Sequence, residues 1–262
     1  MLAERALRAE TPVRHPIMTI EINEQNEAHG HEHKDVSGGW LRPAVFGAMD
    51  GLVTNVSLIA GVGAGISSSG GASPHIIVLT GLAGLAAGAF SMATGEYVSV
   101  SSQNELIQAE VRKEEHELRH NAASEQKELA ASFRRQGVDS DLADRVAEQI
   151  SAHPEQALGV HVREELGVDH HDLPSPYTAA GASLVTFAVG ALIPLLPYLL
   201  GLDNLAVALG LAAVAAFVGG GLVARLTDRP FLRGALRQLI LGAVAAGITF
   251  LIGSAVGAGI SG

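Results

Sequence analysis

The chain has 262 residues, 48% of them apolar, a formal net charge of −10 and no cysteine. These figures exclude disulfides, thiolate metal sites and iron–sulfur ligation, and they argue against a nucleic-acid partner. The mean hydropathy of +0.29 hides a partition: residues 105–172 hold sixteen Asp or Glu and eight Lys or Arg, whereas residues 179–224 hold one charge, Asp203.

Residues 1–39 carry seven acids, four Lys or Arg and no apolar run, so they read as a disordered tail and not as a signal peptide. In it His29, His31 and His33 alternate beside Glu27 and Glu32, a tract able to hold a metal loosely. Two spans are expected in 40–100, at about 41–66 and 75–100, joined by the uncharged loop 67–74. At about 1.5 Å per residue, each is long enough for a hydrocarbon core of about 30 Å. A polar, acidic domain follows over 101–176 and closes at Pro174 and Pro176. Three further spans are expected in 177–262, near 178–200, 203–225 and 235–260. Gly61 with Gly65, Gly84 with Gly88, and Gly219 to Gly221 place small residues where helices approach closely, and a compact, dimeric bundle is expected.

All 17 Lys and Arg lie in three blocks, at 5–42, 112–163 and 225–237. Loops that stay in the cytoplasm retain such residues, which sets the orientation. The fold class is therefore an all-α membrane protein of five transmembrane helices, with a cytoplasmic helical metal-binding domain inserted between helices 2 and 3. The N-terminus and the middle domain face the cytoplasm of a cell (inner) membrane, and the C-terminus lies outside.

Asp50 sits about ten residues into the first span. An ionised Asp at that depth costs about 2.5–3.5 kcal/mol on insertion scales, and such groups usually carry function or a partner. A metal cation or a proton is the expected partner. Thr54 and Ser57 add oxygens on the same face, and Asn55 lies beside them. Met92 and Glu96, one turn apart on the second span, pair a thioether with a carboxylate. Beyond the membrane, Glu110, Glu114, Glu117, Asn121, Glu125 and Glu128 form a single stripe if the helix is continuous. Like charges so spaced repel by about 0.2–0.5 kcal/mol per pair, and a bound cation reverses that sign. A break at Gly137 and a restart at 141–152 precede a last helix near 155–166, where His161 and Glu165 have chelating i,i+4 spacing. Phosphate-binding loops, nucleophile elbows and HExxH are absent from the sequence, so neither an ATP-driven pump nor a hydrolase is expected.

The strings AMDGLVTNVSLIAGVGAG (48–65), AGAFSMATGEYVSVSSQNE (87–105) and HVREELGV (161–168) resemble the vacuolar iron transporter family, over about residues 40–262. The resemblance implies homodimers that move Fe²⁺, and often Mn²⁺, out of the cytosol in exchange for protons. It implies that Asp50 and Met92 line the path and that Glu114, Glu117, Glu125, Glu128 and Glu165 bind metal. A Met is expected one turn before that last Glu; His161 stands there, which bears on the choice among Fe²⁺, Mn²⁺, Zn²⁺ and Co²⁺. The 1–39 tail has no counterpart in the family, and no ferroxidase or other enzymatic activity is expected. Other readings are a membrane-anchored metal sensor or buffer without transport, and a channel driven by the metal gradient alone.

Overall fold

The computed structural model describes residues 39–68 and 75–260. The histidines of the tail and most of the 67–74 loop lie outside the described residues. Among the described residues there are eight helices: α1 (Leu41–Ser68), α2 (His75–His120), α3 (Ala122–Arg135), α4 (Ser140–Ser151), α5 (Pro154–Leu166), α6 (Pro176–Leu199), α7 (Leu205–Leu226) and α8 (Phe231–Ile260). Five of them, α1, α2, α6, α7 and α8, are long and apolar enough to cross a membrane. A helix satisfies every backbone group internally, which hydrocarbon demands.

The helix ends follow local chemistry. Ser175 Oγ accepts from the Thr178 amide at 3.4 Å, with Pro176 in the first turn where its missing N–H is harmless. Asn204 Oδ1 accepts from the Ala206 and Val207 amides at 2.9 and 3.3 Å and opens α7. Helix α8 starts earlier than expected, directly after Pro230, whose carbonyl accepts from Arg233 and Gly234. Gly167 ends α5 at φ +67°, a left-handed conformation suited to glycine.

Helix α1 is the hub of the membrane bundle and packs on α6, α8, α2 and α7. Its Gly47 and Gly51 lie on the α6 backbone near Ser183 and Phe187, while Gly190 of α6 lies on the Ala48 carbonyl. Towards the other end, Gly61 and Gly65 meet Gly253 and Gly257 of α8. On α2, Gly88 receives the Phe187 ring and Gly81 receives Leu195. The glycine pairs of α1 and α2 thus serve packing within the chain. These contacts make α6 parallel to α1 and antiparallel to α2.

A Cβ on Gly190 has no room, because the Ala48 carbonyl fills that space, whereas nothing lies within 4 Å of a Cβ on Gly210. Gly190→Val is therefore expected to cost about 1–3 kcal/mol or more through overpacking. Thermal unfolding of the protein in detergent should show a lowered midpoint for Gly190→Val and little change for Gly210→Val.

Helix α2 continues unbroken for 46 residues, well past the apolar segment. Its extension carries α3, α4 and α5, which close on a small core of Leu129, Ala130 and Ala147 with Phe133, Ile150 and Val160. Asn104 Nδ2 donates to the Pro174 carbonyl at 2.9 Å, and Tyr97 meets Tyr177 edge-on at 5.2 Å. Both contacts tie the extension to the start of α6.

Candidate metal centres

The sequence spacing places six residues on one continuous stripe, and the structure breaks that stripe at Asn121. There α2 stops and the backbone turns (φ −126°, ψ 30°). The Asn121 side chain donates to Glu117 Oε2 at 2.5 Å. Asn competes for nearby backbone and side-chain groups, which makes it a poor residue for a helix interior. The turn brings Glu125 of α3 back to Glu114 of α2, although they are not helical neighbours.

The result is a four-residue cluster. Glu114, Glu125, His161 and Glu165 each offer one ligand atom, and these atoms all lie within 4.8 Å of one another. His161 Nδ1 is 3.0 Å from Glu114 Oε1, 3.5 Å from Glu165 Oε1 and 3.8 Å from Glu125 Oε2. His161 is 1% exposed, and its Nε2 makes no hydrogen bond. Burial, followed by the charges of Glu165, Glu125 and Glu128, pushes the Glu114 carboxyl up to about 7. Burial also raises Glu125, helped by Glu128 and opposed by His161. Crowded carboxylates that resist ionisation, beside an imidazole, form a set that a divalent cation neutralises.

Glu128 lies to one side, where it lines a cavity of about 300 Å³ with Ser132, His161, Glu164 and Glu165. Glu110 and Glu117 lie on the other side and border a smaller cavity with Glu114 and Glu165. Glu110 is engaged by Lys113 at 3.5 Å. Sequence reasoning missed the anchoring of α5 to α3: Ser132 Oγ donates to Glu164 Oε2 at 3.0 Å, and Gln136 donates to the same oxygen. No spacing rule links residues on separate helices in this way.

In the membrane bundle, Thr54 Oγ1 donates to Asp50 Oδ1 at 3.2 Å. Among the described residues Asp50 has no ion-pair partner. Asn55 is turned to α6: it is 1% exposed and its Nδ2 donates to the Ala191 carbonyl at 2.5 Å. Met92 packs on the Ala89–Phe187–Ala191 cluster. Glu96 is buried at 8% exposure, with no hydrogen bond or ion pair among the described residues. Phe187 sets the heights, since it meets Gly51 of α1 and Gly88 of α2. Asp50 is thus level with Gly88, and Met92 and Glu96 lie about 6 and 12 Å further along α2. From Glu96 to Glu114 is about 27 Å of unbroken helix.

The profile of the VIT family matches residues 41–254. The chain is 36% identical over 238 residues to the vacuolar iron transporter of Acanthamoeba castellanii, covering 86% of this chain and 82% of that protein. It is 34% identical over 225 residues to vacuolar iron transporter homolog 3 of Arabidopsis thaliana, covering 82% and 84%. To vacuolar iron transporter 1 of Oryza sativa subsp. japonica it is 29% identical over 246 residues, covering 92% and 95%.

Proposed function

The chain belongs to the VIT family, and from that membership we propose that it moves Fe²⁺, and also Mn²⁺, out of the cytoplasm in exchange for protons. The observation that carries this reading is Asp50, an acid on the central helix of the bundle that lacks a basic partner among the described residues. Glu96 and Met92 lead to its level along α2. The relatives are named vacuolar iron transporters; filling a vacuole and emptying a cell share one direction relative to the cytoplasm.

In this reading residues 101–176 form a cytoplasmic collecting domain. Glu114, Glu125, His161 and Glu165 hold the arriving ion, flanked by Glu110, Glu117 and Glu128. The ion then passes to Glu96, Met92 and Asp50, with Thr54 bonded to the acid and Asn55 one residue on fixing α1 to α6, in a homodimer in the cell membrane. Protonation of Asp50 from outside releases the metal, and loss of that proton inside restores the site. Fe²⁺ flux into proteoliposomes, with and without an imposed pH gradient, tests the proposal. Metal that binds but never crosses would make the protein a sensor or buffer, and flux indifferent to the gradient would make it a channel.

The topology has its own test, because the chain holds no cysteine and single cysteines report without background. Leu202→Cys, in the α6–α7 turn, is expected to react with a membrane-impermeant maleimide on intact cells. Ser140→Cys, at the start of α4, is expected to react only after permeabilisation. The reverse pattern would invert the assigned direction of transport.

A further inference from the structure

Outside the buried cluster, one face of the α2 extension carries a second group of metal-binding character. His116 and His120 are both exposed and lie one helical turn apart, with ring centroids 4.1 Å apart and planes 28° from parallel. His120 Nδ1 lies 2.8 Å from the His116 carbonyl oxygen. A carbonyl oxygen only accepts, so Nδ1 carries the proton and donates. That fixes the tautomer: the lone pair of the neutral ring is on Nε2, which points away from the backbone bond. A ring whose other nitrogen donates to a backbone carbonyl is in the state found in metal-ligating histidines. His116 brings a second, exposed imidazole to the same turn; in the stack the two lone pairs run side by side, and a side-chain rotation of His116 turns its own onto an ion held by His120 Nε2.

The surrounding charges are largely spoken for. Lys113 pairs with Glu110 at 3.5 Å, and Arg119 pairs with Glu115. Arg112, one turn before His116, is the nearby cation without an ion pair among the described residues. Glu117 lies three residues before His120 but is held by Asn121.

We infer that His116 and His120 form a second, solvent-facing metal site that chelates an imidazole-preferring divalent ion such as Zn²⁺, Co²⁺ or Ni²⁺, with water completing the coordination. Hard ions such as Mg²⁺ and Ca²⁺ prefer oxygen donors and pass it by. The site shares a helix with Glu114 but none of the buried cluster's ligands. Its existence does not depend on transport.

The test is histidine modification by diethyl pyrocarbonate, read site by site by mass spectrometry on the full chain in detergent, with Zn²⁺ as the probe. At a Zn²⁺ concentration roughly ten times half-saturation, mass action predicts that both residues react about tenfold more slowly. Mg²⁺ should give no protection. Because chelation needs both rings, His116→Ala should remove most of the protection of His120. In the variant Glu114→Gln/Glu165→Gln, which weakens the buried cluster, protection of both histidines should persist. Three results would overturn the inference: unprotected histidines in the wild type, His120 protected equally without His116, or protection lost together with the buried cluster. None of them bears on the flux experiment, so failure here is distinguishable from failure of the transport reading.

Discussion

Asp50→Asn is expected to reduce pH-gradient-driven Fe²⁺ flux by at least about a hundredfold while leaving the fold intact. The side chains are nearly isosteric, and Asn Oδ1 can still accept from Thr54 Oγ1, which lies 3.2 Å from Asp50 Oδ1. What Asn lacks is the negative charge and the exchangeable proton. Removing one partner of a poorly hydrated ion pair costs about 3–5 kcal/mol, and each 1.4 kcal/mol is about tenfold in occupancy. The residual flux should no longer respond to the gradient, because Asn does not titrate. Thr54→Val, which removes only the hydrogen bond, should cost about 0.5–1.5 kcal/mol and so leave flux within roughly tenfold of wild type. Stopped-flow Fe²⁺ uptake by proteoliposomes, beside a thermal-unfolding control, checks both variants. Gradient-driven transport by Asp50→Asn at the wild-type rate would remove Asp50 from the mechanism.

The bundle is legible in the sequence because hydrocarbon imposes one simple code, long apolar runs interrupted by charged or proline-containing connections. The ends of α6, α7 and α8 fall within a few residues of expectation for that reason. The metal cluster is legible only in part. His161 and Glu165 are neighbours on one helix turn, and their i,i+4 spacing exposes them as a pair. Glu114 and Glu125 meet because Asn121 ends α2 and sends α3 back, a tertiary event that a periodicity count extends straight through. Asn55 shows the same limit inside the membrane. Its position one residue after Thr54 says that it is near Asp50, but the 2.5 Å bond to Ala191 depends on how closely Gly47, Gly51 and Gly190 let α1 approach α6. His116 and His120 show the opposite case: their spacing is plain in the sequence, yet the Nδ1–carbonyl contact from which the tautomer is inferred appears only in the structure.

Metal binding at the Glu114 cluster is expected to strengthen steeply as pH rises towards 7 and to change little above it. The Glu114 carboxyl is raised to about 7, above its ordinary value of 4.5, so at pH 6 it holds a proton that an incoming cation must displace. With one proton exchanged, the apparent affinity falls about tenfold for each pH unit below 7 and levels off above it. The metal-free protein should show the opposite trend. A carboxyl raised on folding contributes stability that is fully present below about 4.5 and is lost as pH rises through about 7, because the unfolded chain gives up that proton first. Hydrogen exchange of the α3 and α5 amides should therefore quicken from pH 5 to 7.5, after correction for the intrinsic rate, and added Mn²⁺ should reverse the change. Glu114→Gln should flatten the pH dependence without metal, since Gln supplies the neutral form permanently, and it should weaken Mn²⁺ protection at every pH. His161→Ala should also lose Mn²⁺ protection but keep the dependence on Glu114. That split separates a ligand from the group whose proton the metal must displace. A pH profile that His161→Ala abolishes and Glu114→Gln leaves untouched would assign the proton to the imidazole.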